Sequence, residues 1–140
     1  MTTILIADIA ALVVISAIAI LVVRRRQPKV LKVEQFQSKW RDMQKLCASK
    51  ETWKEAIVEA DNILDEALKK KRFTGKNMGE RLTKAQRLIS DNESVWFGHK
   101  LRKQLESDPE TTKLKEKDVK QALIGIRQAL KDLGALPDGK

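Results

Sequence analysis

Hydrophobic residues form one unbroken run near the beginning of the chain and recurring stripes after it. Residues 4–23 contain only two polar side chains, Asp8 and Ser16. A helix of that length spans about 30 Å, which is the thickness of the hydrocarbon core of a bilayer. The run therefore predicts a transmembrane helix, and we expect residues 1–23 to form a single-pass membrane anchor.

Positive charge follows this run directly, at Arg24, Arg25, Arg26 and Lys29. Positive residues beside a span are retained on the cytoplasmic side of the membrane. The pattern predicts a protein of the cell membrane with its N-terminus outside, a basic juxtamembrane linker at residues 24–32, and a cytoplasmic C-terminal domain. A secretory signal peptide is the alternative, but signal peptides carry positive residues before the apolar core rather than after it.

Two residues in these segments need separate interpretation. Asp8 lies about one turn inside the outer end of the span, where water is near. This position favours a tolerated interfacial carboxylate over a proton or ion site. Pro28 lacks an amide donor and disfavours the helical conformation of its predecessor, so we expect a kink or a short linker there.

Beyond residue 30 the apolar positions recur at intervals of three and four, as is typical of amphipathic helices. The predicted helices cover about residues 31–48, 52–71, 77–89, 95–106 and 115–133. Five helices joined by short turns, without strand signals, indicate an all-α fold. We expect an up-and-down bundle of four to five helices over residues 33–136, followed by a tail at 137–140.

Several positions predict helix ends and the core. Thr52 and Glu55 have the spacing of a capping box, and Asn77 with Glu80 forms a second capping signature. Gly134 is expected to end the last helix. The stripes also place Trp40, Trp53 and Leu64 in the core, and for Trp40 the distance from the span favours core packing over a membrane-interface anchor.

Two charged clusters have simple explanations. Residues 69–72 are basic and occupy the last turn of a predicted helix, where cations complement the helix dipole. A solvated helix end is therefore favoured over a phosphate site. Glu59, Asp61, Asp65 and Glu66 could suggest a di-metal site, but no E-x-x-H motif faces them, so a solvated acidic face is favoured.

Candidate catalytic residues are few. His99 is the only histidine and Cys47 the only thiol, and the chain contains no nucleophile elbow, zinc-protease motif, paired C-x-x-C or phosphate loop. This argues against a hydrolase, a metalloenzyme or an NTPase, and it predicts no metal, cofactor or small-molecule substrate. A lone cysteine also fits a reducing cytoplasm. The formal charge of +9 lies largely in residues 24–32, so nucleic acid is permitted as a partner without being required.

The main candidate for a binding site is a basic cluster on the fourth predicted helix after the anchor. His99, Lys100 and Lys103 lie within a turn of one another, and Arg102 lies beside them. Cationic side chains in this arrangement suit a phosphate group or an acidic partner.

The order of several motifs over residues 50–134 carries a family resemblance. The motifs are Trp53 with Ala56-Ile57-x-x-Ala60-Asp61-x-x-Leu64-Asp65, then Gly75 with Met78-Gly79-x-x-Leu82, and then Trp96-x-x-His99-Lys100-x-Arg102. This order resembles the HEPN-like helical bundles, which include small membrane-anchored bacterial proteins of unassigned role. The resemblance implies a helical bundle that is able to dimerise.

Active HEPN ribonucleases carry the pattern Arg-polar-x-x-x-His and assemble the pair across a dimer. Arg102 matches the arginine, Lys103 replaces the usual asparagine, and Ser107 stands at the position of the histidine. His99 precedes the arginine and matches a different, helix-stabilising position of the family. The resemblance thus implies the scaffold, and the departure from the motif argues against ribonuclease activity.

The sequence therefore predicts a membrane-anchored, non-enzymatic helical module that docks a protein partner or a second copy of itself in the cytoplasm. The alternative is an RNA-binding module on a degenerate HEPN-like scaffold, which would use Lys100, Arg102 and Lys103. Binding led by phosphate contacts weakens steeply as salt rises, whereas docking on an apolar surface does not. An enzyme with an unrecognised site is a third class.

Overall fold

The computed structural model describes residues 1–26 and 30–139 of the chain. These residues form no strand and six α-helices: α1 (Thr2–Arg26), α2 (Val33–Lys45), α3 (Trp53–Lys70), α4 (Met78–Ala85), α5 (Asn92–Ser107) and α6 (Glu116–Asp132). Two short 3₁₀ helices, Leu46–Ala48 and Lys50–Thr52, join α2 to α3. The predicted all-α fold, an N-terminal apolar helix followed by a five-helix bundle, is confirmed. The kink predicted at Pro28 and the flank residue Lys29 lie outside the described residues.

Helix α1 is long and apolar enough to cross a membrane. The segment Thr2–Arg25 has a mean hydropathy of 2.9 in its most apolar window, and none of that window is buried. The hydroxyl of Ser16 donates to the carbonyl of Leu12 at 2.8 Å, so this polar side chain is satisfied inside the helix. Helix α1 is apolar around its circumference rather than along one stripe, as is typical of helices that span a membrane. Arg24 and Arg25 follow on its last, exposed turn.

Helix α3 is the centre of the bundle, because it contacts α2, α4, α5 and α6. The larger apolar cluster joins α3 to α2, α4 and α6, and the fully buried Leu64 and the nearly buried Trp40 belong to it, as predicted. A smaller cluster around Ile57 and Leu101 joins α3 to α5 and α6. Trp53 is only partly buried and packs against this smaller cluster, while its indole N–H donates to the carbonyl of Cys47 at 3.0 Å.

Two glycines allow α5 and α6 to pack closely. A Cβ atom at Gly125 would lie 2.5 Å from the carbonyl carbon of Ser94, in the first turn of α5. A Cβ atom at Gly98 would lie 3.1 Å from the Cδ1 atom of Ile126. Since ordinary contacts between carbon atoms are about 3.5–4.0 Å long, side chains at these positions would push the two helices apart.

The predicted ends of two helices are confirmed in atomic detail. Helix α6 ends in a Schellman motif in which Gly134 has φ +78° and donates to the carbonyl of Lys131 at 2.9 Å. Ala135 donates to the carbonyl of Leu130 at 2.8 Å in the same motif. At the start of α4, the side chain of Asn77 accepts from the backbone N–H of Glu80 at 2.9 Å.

Two other helix starts differ from the prediction. Thr52 is the N-cap of α3, as predicted, but its hydroxyl donates to the carbonyl of Leu46 at 2.6 Å, so it makes no capping box with Glu55. The 3₁₀ turns before α3 bring that carbonyl within reach. Helix α5 begins at Asn92, three residues earlier than predicted, because Asp91 caps it by accepting from the N–H of Ser94 at 3.1 Å.

Candidate functional site

Helix α5 carries all four predicted binding residues but directs them to different sides. His99 is 8% exposed and Arg102 is partly buried, whereas Lys100 and Lys103 are exposed. Positions 99 and 102 are three residues apart and share a helix face, and that face packs against α3. The structure therefore brings His99 and Arg102 together in the interior and places the two lysines on the surface.

His99 and Arg102 meet at Asp61, a fully buried carboxylate on α3. The Oδ2 atom of Asp61 lies 3.0 Å from Nδ1 of His99 and 3.2 Å from Nη1 of Arg102. An ionised carboxylate can only accept hydrogen bonds, so Nδ1 of His99 carries the proton in this contact. The Asp61 Oδ1 atom is buried and has no hydrogen-bond partner among the described residues. These three side chains, the Asp61 network, connect α3 to α5.

The His99 ring also packs against Trp96. The two rings meet edge to face, with their centroids 5.9 Å apart. Arg102 also donates through Nε to Glu106 at 2.9 Å. Burial alone would lower the pKa of Arg102, but the hydrogen bonds that its guanidinium donates to Glu106 and Asp61 raise the pKa above its ordinary value. The guanidinium thus stays charged beside the buried carboxylate.

The prediction of a solvated acidic face on α3 is wrong. Asp61 is completely buried, Asp65 and Glu66 are partly buried, and only Glu59 is exposed. The carboxylate of Asp65 accepts hydrogen bonds from Nε and Nη2 of Arg81, at 2.7 and 3.0 Å. Arg81 of α4, like His99 and Arg102 of α5, comes from another helix, so these partners were not visible in the sequence of α3 alone.

Arg81 is the main cause of a lowered pKa at Asp65. Burial tends to raise the pKa of Asp65, but its hydrogen bonds and charge interaction with Arg81, helped by Lys69, bring the pKa below the ordinary value. The basic run at residues 69–72 has a related explanation, because Lys69 and Lys70 each pair with the acidic residue four positions earlier, at 3.4 and 3.0 Å. These pairs support the predicted structural role of the basic helix end.

A sequence signal for the Asp61 network exists, although the prediction missed it. Asp61 lies four residues after Ile57 and three before Leu64, so it interrupts the apolar stripe of α3. A carboxylate on a buried helix face needs a cationic partner, because an unpaired buried charge is very costly. His99 and Arg102 have the matching spacing on the inner face of α5, but the sequence alone does not show which helix lies opposite α3.

The outer side of α5 forms a different kind of site. We use the name α5–α6 groove for two adjoining depressions of about 380 and 600 Å³ that share Gln121. The partly buried Trp96 and Phe97 line one depression together with Lys100. Ile124, which is 66% exposed, lines the other together with Lys117 and Lys120. Lys100 is thus the one predicted binding residue that lines this apolar groove.

Neither metal chemistry nor comparison with other proteins adds to this geometry. Within residues 1–26 and 30–139, no three His, Cys, Asp or Glu side chains are grouped so that they could hold a metal ion. No family model, curated protein or solved structure matches the chain. The resemblance to HEPN-like bundles therefore stays a prediction, as does binding by His99, Lys100, Arg102 and Lys103.

Proposed function

We propose that the chain is a membrane-anchored, non-enzymatic module that docks a protein partner through the α5–α6 groove. The observation that carries this proposal is the apolar character of the groove. In the described part of the bundle, residues 30–139, only Val30, Leu88 and Ile124 are large hydrophobic residues that are exposed. Ile124 alone of these lies in the groove, in the depression that adjoins the one lined by Trp96 and Phe97. Aromatic residues are enriched at protein interfaces, where they contribute much of the binding energy.

The charges around the groove indicate the chemistry of the partner. Lys120 is paired with Glu116 at 3.1 Å. Lys100 and Lys117 form no salt bridge among the described residues, and Glu93 is the remaining acidic residue of the lining. The groove is therefore slightly positive as well as apolar. It suits a partner segment that presents apolar side chains flanked by carboxylates.

The Asp61 network supports a non-enzymatic role. General acid–base catalysis needs a group that exchanges protons with a bound substrate. The imidazole of His99 is almost completely buried and holds Asp61 through Nδ1, and Arg102 is occupied by Asp61 and Glu106. In this arrangement both side chains fasten α5 to α3.

The anchor determines where docking takes place. Helix α1 would hold the bundle at a membrane, and the charges of Arg24 and Arg25 support an orientation with the bundle in the cytoplasm. Tethering raises the local concentration of the module near membrane partners, so a modest affinity of the groove is sufficient.

Site-specific photo-crosslinking of the full-length chain in cells tests this proposal. A photoreactive amino acid replaces Ile124 in one variant and Leu88, which is 54% exposed and outside the groove, in a matched control. We expect a discrete, protease-sensitive adduct from position 124 and none from position 88. Adding Lys100→Glu should reduce the adduct at position 124. Absence of an adduct there, or equal adducts at both positions, would refute docking in the groove.

The same experiment distinguishes the alternative functions. The juxtaposition of Trp96, Phe97 and Lys100 favours RNA as the second candidate, because aromatic rings stack on bases while a lysine binds the backbone phosphate. An adduct that is removed by ribonuclease and whose formation falls steeply with salt would establish RNA binding and refute protein docking. An adduct at twice the mass of the chain would identify a second copy as the partner.

A further inference from the structure

A second concave site lies between α2, α6 and the C-terminal segment. This site, which we name the α2–α6 pocket, encloses about 240 Å³. Its principal lining residues are Gln37, Trp40, Arg41, Gln44, Arg127 and Leu136. It shares no residue with the α5–α6 groove or with the Asp61 network, so it is not part of the docking proposal.

The side chains around this pocket are rich in hydrogen-bond donors and positive charge. Arg41 and Arg127 are exposed, and neither forms a salt bridge with a carboxylate of residues 1–26 or 30–139. Gln37 and Gln44 add amide groups, and none of the described lining residues carries a carboxylate. Two guanidiniums that approach one cavity from different helices repel each other, and an anion between them relieves that repulsion.

Trp40 forms part of the wall of the pocket and is 6% exposed. Its Nε1 atom is buried away from solvent, so the indole N–H does not contact a ligand in the pocket directly. The resonance of this N–H nevertheless reports on a ligand that binds against the adjoining part of the ring.

We infer that the α2–α6 pocket binds a phosphate group. Guanidiniums match the geometry of phosphate oxygens, and hydrogen bonds between charged groups are the strongest ones available at such a site. The volume lies below the range of about 300–1,000 Å³ for pockets that hold a whole drug-sized ligand, so it fits a phosphate with little attached to it. The phosphate belongs either to a soluble phosphomonoester or to the headgroup of an anionic phospholipid.

Nuclear magnetic resonance of the indole N–H groups tests this inference in the full-length chain. The chain contains three tryptophans, and Trp40→Phe assigns the resonance of Trp40. Inorganic phosphate is titrated into the protein in zwitterionic detergent, with sodium chloride at matched ionic strength as the control. We expect phosphate to shift the Trp40 resonance in a saturating manner and chloride to leave it unchanged.

Two variants connect the shift to the arginines. Arg41→Gln and Arg127→Gln should each weaken phosphate binding by about tenfold, because each removes a charge-assisted hydrogen bond. Arg87→Gln, at an exposed arginine that does not line the pocket, is the matched control and should leave binding unchanged. Equal weakening by all three variants would show that phosphate responds only to the general positive charge of the bundle, which would overturn the inference.

Lipid nanodiscs separate the two sources of the phosphate. A shift of the Trp40 resonance in nanodiscs that contain phosphatidic acid, relative to phosphatidylcholine alone, assigns the pocket to a lipid headgroup. A shift with inorganic phosphate but not with phosphatidic acid assigns it to a soluble phosphate. A Trp40 resonance that responds to neither overturns the inference.

Discussion

The close approach of α5 and α6 predicts that Gly125→Ala destabilises the bundle, although alanine is the better helix former. In the interior of a helix, alanine is favoured over glycine by about 0.5–1 kcal/mol. The added Cβ atom would lie 2.5 Å from the Ser94 carbonyl carbon, about 1 Å inside an ordinary contact. Backbone rather than a flexible side chain must therefore move, and overpacking of this kind costs about 1–3 kcal/mol. We expect a net loss of stability of about 1–2 kcal/mol.

Tryptophan fluorescence during heating of the full-length chain in detergent measures this loss. Trp40, Trp53 and Trp96 all belong to the bundle, so the signal is not obscured by α1. For a domain of this size, a loss of 1–2 kcal/mol lowers the melting temperature by about 4–16 °C. Ile124→Ala, at the neighbouring exposed position, should stay within about 0.5 kcal/mol of the wild-type chain. A melting temperature of Gly125→Ala at or above that of the wild-type chain would refute the argument from close packing.

Four further predictions concern the network, the pH dependence, the topology and the activity. Arg102→Ala should cost up to about 3–5 kcal/mol because it leaves the buried Asp61 carboxylate with His99 alone, and a double-mutant cycle with His99→Ala should show coupling, whereas additive losses would contradict a shared network. Since Arg81 lowers the pKa of Asp65 in the folded state, this pair stabilises the bundle above the ordinary carboxylate pKa, and its contribution is lost as the pH falls from about 4 through the lower folded value. Arg81→Met should flatten this acid-induced loss in a pH series of melting temperatures. Replacing Arg24, Arg25 and Arg26 with glutamine should weaken the orientation of the anchor, and a C-terminal reporter on the wild-type chain that is active only outside the cytoplasm would contradict the predicted topology. The purified chain should not cleave RNA, and cleavage that disappears in both His99→Ala and Arg102→Ala would identify an enzyme instead.

Features that depend on interactions between residues close together in the sequence were predictable. The apolar run of α1, the 3.6-residue stripes of the bundle helices and the glycine that ends α6 all act through contacts within one helix. Asn77 caps α4 for the same reason, because its acceptor and the N–H that it binds are three residues apart. Such interactions form in any fold that contains the helix. The sequence therefore predicts them without knowledge of the neighbouring helices.

At the starts of two helices, competing local signals were interpreted wrongly. Thr52 has capping-box spacing, yet its hydroxyl binds the carbonyl of Leu46, which the preceding 3₁₀ turns bring within reach. Residues 91–94 resemble a break, yet Asp91 caps a helix that starts at once and packs against Gly125. In both places the deciding hydrogen bond joins residues no more than six positions apart, so it is a local signal that the prediction interpreted wrongly.

The sequence by itself therefore determined the apolar N-terminal helix, the number of bundle helices and most of their ends. Only the tertiary structure decided that Asp61 lies opposite His99 and Arg102, and that Lys100 shares a groove with Phe97 and Ile124. The physical reason is the range of the interactions. Helix periodicity and capping act over three or four residues, whereas the partners of Asp61 are 38 and 41 residues away and meet it only when α5 packs on α3.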